Sequence, residues 1–179
     1  IARNNTSYGT TSASSVIVKD GTSYWTSGAT LTLGDGRTVT ASPTAATGYS
    51  TSFSSWSPSK AMISGGARTV TANFSRVKNN YYLDLNTYLD GASYGSSRIK
   101  VNLTVGGSNK GYVSDYYTAH PYGTSWSING LQIDGVTLSY TASGTVGAST
   151  TNIPMNFYTL TIARNNTSYG TTSASSVIV

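Results

Sequence analysis

The chain of 179 residues offers little for acid–base chemistry: one histidine, His120, and six carboxylates, all aspartate. Hydrolysis needs a base beside its nucleophile, or two carboxylates across the bond to be cleaved. His120 is followed by Pro121 in a segment read as a loop, and no G-x-S-x-G run is present. Asp35 and Asp134 stand in Asp-Gly turns between alternating runs, where they serve a hairpin. The predicted catalytic set is empty, and no enzymatic activity is expected. Asp84, Asn86 and Asp90 in DLNTYLDG are rich in oxygen but lack the spacing and the distal Glu of a calcium loop. They read as a strand and a turn, so no metal and no cofactor is expected. The absence of cysteine excludes disulfides and thiolate ligands.

Three other chemistries have candidate residues. A Lys–Asn isopeptide bond would need a buried lysine, but the alternation IKVNLTV turns Lys100 outward. Asn4, Asn5, Asn73 and Asn102 each open an Asn-x-Ser/Thr triplet, a short pattern in a chain so rich in Asn, Ser and Thr. Tyr81, Tyr116, Tyr117 and Tyr122, with Tyr82 and Trp126 near them, are the candidates for stacking on sugar rings. Aromatics in strands more often serve as core and cross-strand partners.

The elements that must carry these residues are strands. Charged residues make up only 9% of the chain, Glu is absent, and Ser, Thr, Gly, Asn and Tyr replace the strong helix formers. Three Trp, fourteen Tyr and three Phe supply apolar surface that disordered tails lack. The eleven basic residues are spread singly, so no nucleic-acid partner is expected. No membrane span or sorting signal is legible.

Residues 1–18 and 162–179 both read IARNNTSYGTTSASSVIV, an offset of 161 residues. Identity that extends to the polar positions points to a homogenised tandem array. Upstream of the second copy stands Tyr-Thr-Leu-Thr, so Tyr158, Leu160 and Ile162 alternate with threonine and predict a half-buried strand. Ile1 corresponds to the middle of that strand. Tyr158, Leu160, Ile162, Val177, Ile178 and Val179 are the predicted segment for pairing with a neighbouring repeat, or for strand exchange with an identical subunit.

Within the repeat, features recur in one order: an opening strand, Ser-Tyr-Gly at 7–9 and 93–95, an apolar run at 16–18 and 99–103, an Asp-Gly hairpin, and a closing strand ending in Asn-Phe. The expected organisation is two small β modules in tandem, 1–78 (first strand truncated) and 79–157, with 158–179 beginning the next repeat. The period of two predicts a core of Leu31, Leu33, Val39, Val70, Ala72, Phe74, Leu83, Leu85, Ile99, Val101, Leu103, Ile133, Leu138, Ile153, Met155 and Phe157. Pro154 cannot donate to a ladder and marks an edge.

The opening YTLTIARNN, the central GTSYWTSGATLTL, and Gly48-Tyr49 with Phe53-Ser54-Ser55-Trp56 carry a resemblance. The first module resembles the Listeria–Bacteroides, or internalin B-repeat, modules of bacterial surface proteins. Three residues separate Tyr49 from Phe53, where that family has one. The second module, with YYLDLNTYLDG, Ser114-Asp115-Tyr116-Tyr117 and His120-Pro121-Tyr122-Gly123-Thr124, is similar to surface-protein repeats of gut Firmicutes. The resemblance implies an all-β, β-grasp-like fold with at most one short helix per module. Residues 57–66 are the place for such a turn. It further implies an extracellular spacer or adhesion-associated stalk on a bacterial cell surface. Its partners would be neighbouring repeats or identical subunits, or, alternatively, glycans or proteins bound weakly at many repeats.

Overall fold

The computed structural model describes residues 1–93, 98–162 and 176–178. Tyr94 and Gly95 of the second Ser-Tyr-Gly, residues 163–175 of the second copy, and Val179 lie outside the described residues. Among those described, every regular element is a strand, and there is no helix. The chain divides into two compact units, Ile1–Asn79 and Asn80–Val179. The described parts of 158–179 therefore belong with the second unit.

The first unit contains β1 (Ala2–Arg3), β2 (Gly9–Thr11), β3 (Thr22–Ser27), β4 (Thr30–Leu33), β5 (Thr38–Pro43), β6 (Tyr49–Ser57), β7 (Lys60–Ile63) and β8 (Thr71–Lys78). They form two sheets, β1-β8-β6 and β2-β5-β4-β3-β7. The Asp35-Gly36 turn joins β4 to β5 with Leu31 opposite Val39, as the alternation predicts. Leu31, Leu33, Val39, Val70, Ala72 and Phe74 are buried, and Tyr24, Ala41 and Trp56 join them in one core. Burying each large apolar side chain contributes about 1.5–3 kcal/mol.

The short helix expected at 57–66 is replaced by β7, which pairs antiparallel with β3 from Thr22↔Ile63 to Trp25↔Lys60. The reason is local. β3 needs a partner on its free side, and Lys60-Ala-Met-Ile can pair there while leaving Met62 in solvent. The apolar run at 16–18 differs from its counterpart at 99–103, which is a strand. Val16 and Val18 rest on the core, but they form no strand, and Ile17 is 91% exposed.

The second unit contains β9 (Asn80–Leu89), β10 (Ala92–Ser93), β11 (Ile99–Val105), β12 (Ser108–Val113), β13 (Asp115–Pro121), β14 (Ser125–Ile133), β15 (Val136–Leu138), β16 (Ala142–Thr145), β17 (Thr151–Phe157), β18 (Thr159–Thr161) and β19 (Ser176–Ile178). One sheet runs β10-β9-β13 with β17 on β9. Another runs β12-β11-β14-β15 with β16 on β14, and β18 and β19 form a hairpin. Among the described residues β17 pairs only with β9, so Pro154 lies on an edge strand, as predicted. β11 alternates buried and half-buried along its whole length, with Lys100 on the outward side.

Leu83, Leu85, Ile99, Val101, Leu103, Ile153, Met155 and Phe157 form the core, and Ile133 packs against it. Leu138 departs from the prediction. It lies on the short outer strand β15 and is largely exposed, because only β14 flanks that strand. Ile128 and Leu131 were not legible from a period of two. Leu103 faces Ile128 while Val101 faces Leu131, so β14 carries an extra residue at Asn129-Gly130. This bulge turns both apolar side chains inward.

Candidate functional site

The predicted site residues fall into two places in the second unit. The first is the β9·β13 pair. Register sets Leu85 opposite Tyr116 and Tyr81 opposite His120, side chains that are buried or half-buried, while Thr118, opposite Leu83, is exposed. Tyr81 and Tyr116 are half-buried against the core. Tyr122 meets Tyr81 edge to face at 6.4 Å. Of the four tyrosines singled out for glycan contact, only Tyr117 stands on the outward face. It is 62% exposed and stacks on Tyr82, its diagonal neighbour, with centroids 4.3 Å apart and planes 9° from parallel. Asp84 and Asn86 lie on the same outward face, and the Asn86 amide donates to Asp84 at 2.6 Å. The result is a flat aromatic pair beside fixed polar groups.

His120 lies in β13 rather than in a loop, because Pro121 takes the last position of the strand, where its missing N–H costs nothing. Its ring stacks on Tyr116, and Nε2 and the Tyr116 hydroxyl are 2.9 Å apart. Desolvation, and secondarily the charge of Lys110, hold the imidazole below its ordinary pKa. Among the described residues, no three His, Cys, Asp or Glu side chains cluster as metal ligands. Among the described residues no helix is long and apolar enough to cross a membrane.

The second place is the terminal hairpin. β18 and β19 pair antiparallel, with Thr159, Leu160 and Thr161 opposite Ile178, Val177 and Ser176. The half-burial predicted for this strand is not found: Thr159, Leu160 and Thr161 are all exposed. Ile178, opposite Thr159, is buried in the core of the second unit. Leu160 and Val177 therefore face outward, Leu160 at 52% exposure, with Tyr158 and Ile162 also exposed. The strand expected to be half-buried thus presents an apolar face to solvent. Its start is pinned by Asp90, whose carboxylate accepts the Thr159 N–H at 2.9 Å while the Asp90 N–H donates to the Phe157 carbonyl at 3.0 Å. The bond from Thr159 holds the Asp90 carboxyl below its usual pKa.

The first unit contains a feature that sequence reading missed. An apolar groove of about 330 Å³ is lined by the buried Tyr24, Leu31 and Leu33 together with Ser15–Val18 and Gly66–Arg68. Ile1 and Val70 also line it. The first copy of the repeated segment lies beside it, held by bonds from polar residues. Asn4 exchanges two side-chain bonds with the Phe74 backbone, at 2.9 and 3.0 Å. Arg76 lies over the Tyr8 ring at 4.3 Å and donates to the Ser7 carbonyl at 2.7 Å. The only signal for the groove in the sequence was the Tyr-Thr-Leu-Thr that precedes one copy of the repeat.

In comparisons with family models, curated proteins and solved structures, the chain matches none.

Proposed function

We propose that the chain is a structural repeat segment of an extracellular stalk, adhesin or fibre on a bacterial cell surface, built of two small β modules in tandem. The observation that carries this reading is the identity of residues 1–18 and 162–179. A unit repeated with its polar residues unchanged is used for length or for number, and each unit here has a core of its own. The internal duplication has support in topology. In the first unit the opening β1 lies parallel to the closing β8, and in the second the opening β9 lies parallel to the closing β17. The partners of such a segment are neighbouring repeats.

Small-angle X-ray scattering on chains with one, two and three copies of the 161-residue repeat tests this reading. The expected result is a maximum dimension that grows by a constant increment per repeat. A radius of gyration growing only as about the 0.38 power of chain length, as in one globule, would refute it.

A second reading is a weak glycan-binding module that acts by avidity. The exposed Tyr82–Tyr117 stack beside Asp84 and Asn86 favours it. A glycan array probed with the multi-repeat chain, and with its Tyr117→Ala variant, decides it. Binding that survives the substitution would remove this face from consideration.

A further inference from the structure

The second unit is entered and left by two strands that lie side by side. β8 ends at Lys78 and β9 begins at Asn80, so Asn79 alone separates them and the chain enters the unit at the start of β9. It leaves the core at the end of β17, where Phe157 is buried and Tyr158 is exposed. β9 and β17 pair in parallel, from Leu83↔Thr151 to Leu89↔Phe157. Entry and exit thus lie at opposite ends of one ladder. A pull on the chain draws Asn80 backward along β9 and Phe157 forward along β17. The two strands are then sheared past each other, and the rungs between them lie across the pull and share the load. A ladder opened from one end would lose its rungs one at a time.

The bonding pattern suits such a load. The Phe157 carbonyl accepts the Asp90 N–H at 3.0 Å, so Phe157 turns its backbone groups toward β9. Alternate residues of a parallel strand do this. Met155, Ile153 and Thr151 therefore bond to β9 as well, and Pro154, which has no N–H to give, falls on the free side of the strand. The proline removes no rung. Ile153, Met155 and Phe157 also carry their side chains into the core beside Leu83 and Leu85 of β9, so shear must drag packed side chains past one another too.

The two strands are anchored unequally. β9 is held on its other side by β13, from Asn80↔Pro121 to Asn86↔Asp115. Among the described residues β17 has no strand partner except β9. At the exit Asp90 adds a latch. Its carboxylate accepts the Thr159 N–H at 2.9 Å, so load arriving from the C-terminal side meets the residue that follows β9 before it reaches Phe157.

Resting on the stalk reading above, we propose that the β9·β17 ladder is a shear clamp, which makes the second unit a load-bearing link of the array and not a spacer alone. It resists a pull along the chain far better than a pull across it.

The test is single-molecule pulling on the full chain. The chain has no cysteine, so two introduced cysteines set the direction of force. Asn80→Cys with Tyr158→Cys loads the ladder in shear. Ala92→Cys with Tyr158→Cys draws the same exit away from the turn that ends β9, and opens the ladder from that end. All three positions are exposed. The first pair is expected to rupture at a several-fold higher force than the second. Added to the first pair, Met155→Ala should lower that force. Ile128→Ala, in β14 of the other sheet, should lower the Tm but leave the force near its parent value, because forced unfolding follows the unfolding rate and not the equilibrium stability. Equal rupture forces in the two directions overturn the proposal, as do alanine variants that lower the shear force alike or not at all. The stalk reading fails separately, by scattering, since a clamp within one unit does not depend on the shape of the array.

Discussion

Gly9 shows how closely a single position can be fixed by a residue far along the chain. A methyl group on its Cα would overlap the ring of Phe74. Phe74 is buried and meets Phe53 edge to face at 5.8 Å, and Phe53 leans on Trp56 at 5.7 Å. The ring cannot yield without disturbing that aromatic row. Gly9→Ala is therefore expected to cost about 1–3 kcal/mol by overpacking, read as a lower urea midpoint with an unchanged m-value. The Ser-Tyr-Gly motif stood out in the sequence, but its purpose did not. Its glycine is demanded by Phe74, and its Tyr8 by Arg76, and neither partner is a neighbour in sequence.

At the scale of elements, one tripeptide adopts two states. Ser15-Val16-Ile17 is irregular, with Val16 resting on the core and Ile17 in solvent. Ser176-Val177-Ile178 is a strand, with Ile178 buried and Val177 turned outward. Local propensity is the same in both, so tertiary context decides. In the second copy these residues pair with Thr159-Leu160-Thr161. This limits what was legible. The strands, the Asp-Gly hairpins and most of the core followed from a period of two. The bulge in β14, the pairing of β7 and the facing of β18 depend on partners that periodicity does not name. Asp90 supplies a test at this scale, since its carboxylate anchors β18 to the end of β9. Asp90→Ala should speed amide hydrogen exchange in residues 159–161 and 176–178 while leaving β9 and β17 protected. Equal protection in both proteins would mean that Ile178 alone seats the hairpin.

At the scale of the whole molecule, stability comes from two apolar cores rather than from charge. Among the described residues the ion pairs are Arg37–Asp35 and Arg98–Asp134, both well exposed, and such pairs contribute about 0–1 kcal/mol each. Each core draws all its buried members from one unit, Tyr24 to Phe74 in the first and Leu83 to Ile178 in the second. A cavity made in one core should therefore weaken that unit. Leu33→Ala and Leu83→Ala each remove a side chain with at most 1% exposure, and each is expected to cost about 2–5 kcal/mol. Calorimetry on the wild type and both variants locates the loss. Leu33→Ala should lower the unfolding step of the first unit, Leu83→Ala that of the second, and each should leave the other step in place. A single transition displaced equally by both substitutions would show the two cores melting as one, and a segment of that kind would yield under load in one event per repeat rather than in two.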